Sequence, residues 1–326
     1  MKKIVFFLFV CLFCFTGEVF AQRKQTRFAE EEVQTKTKGR QKAPFSCGYE
    51  QAIRVGGFVT NPPFGWVDVI PSDYGSAQDV YVNDGYAYRT FEQMTKDMGL
   101  KIKNVGFKSY HDALNALKKG DIDVLTGTYY DSRTLGVGTT LLYPSYFANP
   151  VIVFFKKGKE KDIKTFADLK GMKGVIRQEE LLYTLIWRNL PQGLDLKQVA
   201  GARRAWTMLM TGEADFLIGS AYAGEAEIRR FKLMDDVVST QNILVAPELF
   251  YVFASNSGCT KLIPQYEEEL KKIKADEAAV LQNLIHYIDE WGLRFAANES
   301  LMEELAPKET PAPQRPAPAG KPITEE

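Results

Sequence analysis

Two hydrophobic periods alternate along most of this chain. Short β-branched runs read as strands, and apolar residues three or four apart read as helices. Ile53 and Val55 open the first strand, Gly56 and Gly57 loosen the backbone after it, and Asn61-Pro62-Pro63 sets a turn. Pro-Pro has no N–H to donate, so this loop cannot continue a central strand. Tyr88, Phe91, Met94 and Met98 share one face of a helix within Gly85–Ile102 that stops at Gly99. Tyr110–Arg133 reads as a second amphipathic helix, a stop at Gly120 and a buried strand at Ile122–Leu125. Strand–helix–strand–helix–strand predicts an α/β fold with a mostly parallel sheet.

The alternation breaks at Leu141–Pro150, passes through strand-like Val151–Phe155 and the basic stretch Lys156–Lys164, and restarts from Asp168. Gly174–Ile176, a helix at Glu179–Leu190, Lys197–Ala200, a helix at Ala202–Met210, Ala214–Gly219 and a helix at Ala223–Phe231 follow in order. A second seam, Gln241–Glu248, leads to Leu249–Phe253 and to helices at Lys261–Lys274 and Glu277–Arg294. Two seams imply a discontinuous first lobe, residues 48–145 plus 247–305, around a second lobe, residues 146–246. Two connections make a double hinge beside a cleft. Two sequential domains are the alternative, and they would leave the C-terminal helices without a first-lobe partner.

The ends read differently from the middle. Lys2 and Lys3, the apolar run Ile4–Phe15 and Val19-Phe20-Ala21 before Gln22 have the form of a secretory signal peptide, residues 1–21. The apolar run is shorter than the ~17–25 residues a bilayer-spanning helix needs. The expectation is export to the periplasm with cleavage near Ala21. Cys11 and Cys14 lack the small-residue context of a lipid anchor. Residues 22–47 read as a disordered linker and 306–326, rich in Pro and Ala, as a disordered tail or a peptide ligand for another protein.

Composition narrows function mainly by exclusion. Lys+Arg and Asp+Glu balance at 41 each, so the basic footprint of a nucleic-acid-binding chain is missing. His111 and His286 fall in helices without Cys or carboxylates at metal-ligand spacing, and neither a G-x-S-x-G elbow nor a P-loop occurs. No catalytic residue, metal or cofactor is indicated.

The order of the motifs carries more. A strand ends near Pro62-Pro63-Phe64, a Gly-aromatic helix start follows, and a helix runs into Gly120-Asp121 and Asp123. A strand with Gly127 then leads to Arg133. Together with Lys164–Gly171 and Thr211–Gly219, these words resemble the periplasmic solute-binding proteins of family 3, whose best-known members bind amino acids, over residues 52–292. The resemblance implies a two-lobed, type II periplasmic-binding-protein-like fold with two mostly parallel sheets and flanking helices. It further implies a monomer that binds a small polar solute, an amino acid or other carboxylate, for delivery to an ABC permease at the inner membrane. A ligand-sensing subunit for a membrane signalling protein and a small periplasmic dehydratase of the same fold are the alternatives.

The resemblance also nominates residues. Arg133 stands where the family binds a solute carboxylate, and a guanidinium fork meets a carboxylate through two parallel bonds. The other reading of Arg133 is a helix cap or a partner of Asp131, and its loop, with Tyr129 and Tyr130, is one residue shorter than the usual pattern. Phe64, Trp66 and Tyr129 or Tyr130 are candidate cleft walls or, in a chain with 21 Phe, 15 Tyr and 4 Trp, ordinary core. Arg177, before Gln178-Glu179-Glu180, replaces the family's small donors at a helix N-terminus suited to an anion; the alternative is that Glu179 and Glu180 complement the helix dipole. Ser220 stands where amino-acid binders carry an Asp for the α-ammonium. Ala87 and Arg89 stand where an acidic residue is common, and Glu225 is a substitute one turn on. A net anionic or neutral solute follows. Cys47 and Cys259, the two cysteines beyond the leader, are candidates for one disulfide, because the late helix that begins at Cys259 packs back on the first lobe in the family; two unpaired thiols are the alternative.

Overall fold

A computed structural model describes residues 47–58, 60–70, 80–130, 135–177, 186, 189–295 and 301. The leader, the linker up to residue 46, Arg133, Gln178-Glu179-Glu180, most of the helix expected at Glu179–Leu190 and the tail lie outside the described residues.

Strand β1 (Ile53–Phe58) buries Ile53 and Val55 completely. The turn that Pro62 and Pro63 impose then joins β2 (Thr60–Asn61) to β3 (Gly65–Ile70), and β3 pairs with β4 (Val80–Asp84), giving a three-stranded antiparallel sheet. Helix α1 (Tyr86–Asp97) starts from Gly85 at φ 103°, where an added Cβ would lie 2.9 Å from Gly65 Cα, so only glycine suits the position. The Tyr86 and Ala87 amides donate to the carbonyls of Pro63 (3.0 Å) and Phe64 (2.8 Å), so the Pro-Pro turn caps the helix. Strand β5 (Ile102–Phe107), helix α2 (Tyr110–Lys119), β6 (Val124–Tyr129), β7 (Thr139–Leu141) and β8 (Phe147–Ala148) follow. Ser109 caps α2 by accepting from the Asp112 amide at 3.1 Å, and Gly120 closes it in the left-handed conformation.

The chain then enters a second sheet with β9 (Val151–Lys156), β10 (Lys173–Arg177), β11 (Asp195–Val199), helix α3 (Ala202–Thr211), β12 (Phe216–Ser220), helix α4 (Ala221–Arg230) and β13 (Val237–Ser239). It returns through β14 (Glu248–Ala254) and ends its described course in α5 (Ile263–Ala275) and α6 (Glu277–Phe295). Strand order is β5-β1-β6-β14-β7 in the first sheet, with β8 also on β14, and β11-β10-β12-β9-β13 in the second. Both sheets are mixed rather than mostly parallel. β1 runs parallel to β5 and β6, and β10 to β11 and β12, whereas β14 and β9 are antiparallel to their neighbours. β1 reaches β5 through α1, β5 reaches β6 through α2 and β11 reaches β12 through α3, whereas β9 and β14 arrive directly from the opposite sheet and carry no such constraint.

Three long-range ties hold α5 and the start of the chain to the first sheet. Cys47 and Cys259 form a disulfide with Cα atoms 5.2 Å apart, across a separation of 212 residues. Tyr266 of α5 stacks on Phe91 of α1 at 4.6 Å, and its hydroxyl shares a hydrogen bond with Thr95. Asp123 accepts from the Arg54 backbone amide, from the Arg54 guanidinium on both oxygens and from the Ser257 hydroxyl, at 2.8–2.9 Å. Among the described residues no helix is long and apolar enough to cross a membrane.

Opening the disulfide by Cys47→Ser should lower unfolding free energy by about 2–5 kcal/mol, because the unfolded chain loses a long loop constraint. Urea midpoints with and without reductant measure this, and wild type should lose the same amount in reductant. Asp123 gives a pH signature. Burial alone would raise its pKa, but the hydrogen bonds from Arg54 and Ser257 outweigh that and hold the carboxyl below its ordinary value. A depressed folded-state pKa stabilises above the unfolded value of about 3.9 and is lost as pH falls through the folded value. The stability gap between wild type and Asp123→Asn should therefore be wide at neutral pH and narrow in acid, as read from urea midpoints across the range.

Candidate functional site

The two crossings between sheets run side by side. The Asn149 amide donates to Pro247 O at 2.9 Å, Val151 N–H to Val245 O at 2.7 Å, and Leu244 N–H to Val151 O at 2.9 Å. Phe147 and Ala148 continue the ladder opposite Leu249 and Glu248. The outgoing and returning chains are thus one antiparallel ribbon, held by backbone bonds that any sequence could make.

Side chains give the ribbon its character. Asn149 is fully buried in it; its amide nitrogen donates to the Tyr129 hydroxyl, and its amide oxygen accepts from the Ser220 hydroxyl. Tyr129 ends β6 and Ser220 ends β12, so this chain of three buried polar groups links strand ends of both sheets. Ser220 also caps α4 by accepting from the Ala223 amide at 3.3 Å. Ligands of α/β sheets sit beyond the carboxyl ends of such strands.

An aromatic cluster lies beside this line. Phe64 is wholly buried, with Tyr86, Tyr146, Phe147 and Tyr222 at ring-centroid distances of 5.5–6.4 Å. Tyr222 belongs to the first turn of α4 and also meets Phe147 at 5.4 Å, so the second sheet's helix reaches into aromatics of the first. Burial raises the Tyr86 phenol to about 12 and pushes those of Tyr146 and Tyr251 well above their ordinary value, so all three are neutral at physiological pH. Tyr251 donates to Ala87 O at 3.0 Å. Tyr146 Oη and Thr128 Oγ1 are buried without a hydrogen-bond partner among the described residues.

The other nominated residues are placed elsewhere. Trp66 is 1 % exposed and packs on α6 against Tyr287 and Trp291, at 6.2 and 5.4 Å, and Tyr287 links it to Tyr86 of the Phe64 cluster at 6.2 Å. Arg177 ends β10 in an ion pair with buried Glu227, whose second oxygen accepts from Trp206 Nε1 at 2.7 Å. That carboxylate balances the charge expected to attract an anion. Glu225 pairs with Arg229 at 3.0 Å, and Arg89 with Asp84 at 2.7 Å. Tyr130 is 53 % exposed, and Arg133 lies outside the described residues. No metal-holding cluster of His, Cys, Asp or Glu occurs among the described residues.

Sequence reading alone missed Asn149, Phe147, Tyr146 and Tyr222. The aromatic density of Leu141–Pro150 was the available signal, since a mere linker has no need of Tyr143, Tyr146 and Phe147 together.

The Arg177–Glu227–Trp206 group can be tested for its structural weight. Glu227→Ala removes the acceptor of the buried Trp206 N–H and should cost about 1–3 kcal/mol, whereas the double variant with Trp206→Phe should recover part of it. Denaturation of the two variants side by side measures the difference.

No protein-family model matches the chain, and no curated protein matches its sequence. Solved structures do. The GluR0 ligand-binding core in complex with L-glutamate superposes with a TM-score of 0.55 at 16% identity, covering 75% of this chain and 99% of that one. A histidine kinase sensor domain with similarity to periplasmic binding proteins gives 0.54 at 18% identity, covering 75% and 96%. The amino acid ABC transporter substrate-binding protein AbpA from Streptococcus pneumoniae, bound to L-arginine, gives 0.54 at 13% identity, covering 74% and 95%. At such identities the likeness is one of fold. The chain has the type II periplasmic-binding-protein-like fold, two α/β units with mixed sheets joined by a pair of crossing strands.

Proposed function

We propose that this chain captures a small polar solute outside the cytoplasm, in the junction between its two units, for delivery to an ABC permease. The observation that carries this reading is the meeting of the β6 and β12 carboxyl ends over paired crossing strands, through Tyr129, Asn149 and Ser220. Residues 48–145 plus 247–305 act as one lobe and 146–246 as the other, and the ribbon between them is the hinge. Phe64, Tyr129 and Ser220 face the solute, Arg133 takes its carboxylate, and Trp66 and Arg177 support the walls from behind. The unpartnered hydroxyls of Tyr146 and Thr128 favour a polar guest, because a buried hydroxyl without a partner costs about 1–3 kcal/mol. The leader segment and the Cys47–Cys259 disulfide agree with a periplasmic location. The solved structures with this fold include proteins bound to L-glutamate and L-arginine, which supports an amino acid or related carboxylate as the solute class.

A sensing subunit is the second reading, favoured by α6. Its Tyr287 and Trp291 hold Trp66, while Asp289 takes Arg229 of α4 and Trp291 lies 5.7 Å under Arg230. A helix fastened to both units reports their relative position. Uptake of the solute by cells lacking the protein separates the readings: it falls if the protein transports and persists if it senses.

A thermal-shift screen of the mature protein against amino acids, keto acids, dicarboxylates and polyamines identifies the solute class, since a ligand of the native state raises the melting point by mass action. The strongest hit should be anionic or zwitterionic. Arg133→Ala should weaken it ten- to a hundredfold, about 1.5–3 kcal/mol, and Arg133→Lys should recover only part of the loss. A polyamine or basic amino acid as best hit, or an unchanged affinity in Arg133→Ala, would overturn the assignment.

A further inference from the structure

Tyr222 is the residue through which α4 enters the aromatic cluster of Phe64, Tyr86 and Phe147. Its place is set locally: Ser220 ends β12 and caps α4, so the second residue of the helix is delivered to the junction at a fixed height. Its ring stands nearly perpendicular to two others, at 88° to Phe64 and 80° to Phe147, with centroids 5.9 and 5.4 Å away. Phe64 and Phe147 themselves lie 5.5 Å apart, so the two form a corner with Tyr222 in it. Edge-to-face packing of this kind is the favoured arrangement for flat aromatic rings, because the positive edge of one meets the negative face of another.

We propose that Tyr222 is the protein's own occupant of an aromatic subsite, and that the solute carries a flat aromatic ring that takes its place when the units part. This deepens the interlobe-binding reading and rests on it for the solute's polar end. The polar line Tyr129–Asn149–Ser220 lies alongside the corner: Asn149 is two residues from Phe147, and Ser220 two residues from Tyr222. One molecule with an aromatic body and a polar head therefore meets both. In the arrangement described here each half is satisfied from within. The corner is filled by Tyr222, and the Asn149 amide by Tyr129 and Ser220. Binding then consists of exchanging internal partners for the solute's, and Tyr222 sets specificity by competing for the corner.

Two pairs of probes differing only in the ring, phenylpyruvate against pyruvate and L-phenylalanine against L-alanine, together with indole, which has a ring and no carboxylate, test this by titration calorimetry. Tyr222→Ala removes the competitor, and Tyr222→Phe keeps the ring. Circular dichroism and the melting temperature verify that both variants are folded. The proposal expects the phenyl member of at least one pair to bind wild type better than its methyl counterpart. It also expects Tyr222→Ala to tighten that binding about tenfold or more, as two edge contacts are removed from the competing state, with Tyr222→Phe close to wild type. Indole should bind Tyr222→Ala and not wild type, as an apolar cavity opened by truncation admits a ring of its own size. Methyl probes that bind as well as phenyl ones, or a Tyr222→Ala variant that weakens phenyl binding, would overturn the proposal. So would a folded Tyr222→Ala that binds neither phenyl compounds nor indole. Indole binding to Tyr222→Ala with no carboxylate binding to any form would leave the subsite standing and remove the carboxylate reading of the junction instead.

Discussion

A side-chain amide buried where two sheets meet must be hydrogen-bonded at both its ends, and in this chain that requirement falls on Asn149. Each unmet end would cost about 1–3 kcal/mol. The donor end finds Tyr129 at the finish of β6, and the acceptor end finds Ser220 at the finish of β12. One residue therefore sets the distance between strand ends of the two sheets, and the backbone ribbon around it sets their direction. The position of Phe147, the cap of α4 and the position of Tyr222 follow from that registration, since each is within a few residues of Asn149 or Ser220.

Helix α6 applies a second constraint from the far side. Gly292 lies so close to α4 that an added Cβ would stand 3.4 Å from Ala226 O and 3.1 Å from Arg229 Cβ. The same helix presents Tyr287 and Trp291 to Trp66 of β3. The units are thus joined by the paired crossing strands and, separately, by a helix–helix contact built on small residues and an ion pair. Movement about the ribbon must slide or release α4 against α6. A wide clamshell opening costs those contacts, whereas a small rotation at the Tyr222 corner costs fewer.

Elements that carry a complete local pattern were legible. Helices α1, α2 and α3 announce themselves through apolar spacing and glycine stops, and β1, β6, β9 and β12 through short buried runs. The hairpin of β3 and β4 was not, because Gly65–Ile70 alternates only partly and its partner strand lies across residues 71–79. The mixed character of the sheets was hidden for a related reason: a strand's direction depends on where the chain comes from, which composition does not record. Of the residues nominated by motif, Phe64, Tyr129 and Ser220 are the ones the fold brings to the junction. Asn149 was not among those nominated, since its role requires partners 20 and 71 residues away to converge. Arg177 was read from its place at a helix start, but the Glu227 that balances it is 50 residues on and faces it only because of the phase of α4. The disulfide was legible through a count, two cysteines beyond the leader, and its geometry needed the fold.

The central claim is that the junction around Asn149 is a hinge whose closure is coupled to solute. Electron-paramagnetic-resonance distance measurement between spin labels at Lys118 on α2 and Lys197 on β11, both exposed and on opposite units, tests it most directly. The account predicts a broad or two-component distance distribution without solute that collapses to a single component when the strongest ligand is added. Asn149→Leu, which removes the registration of the two strand ends, should broaden it again. A single distribution that neither solute nor Asn149→Leu alters would contradict the account, because the two units would then be one rigid body and the junction a core rather than a binding site.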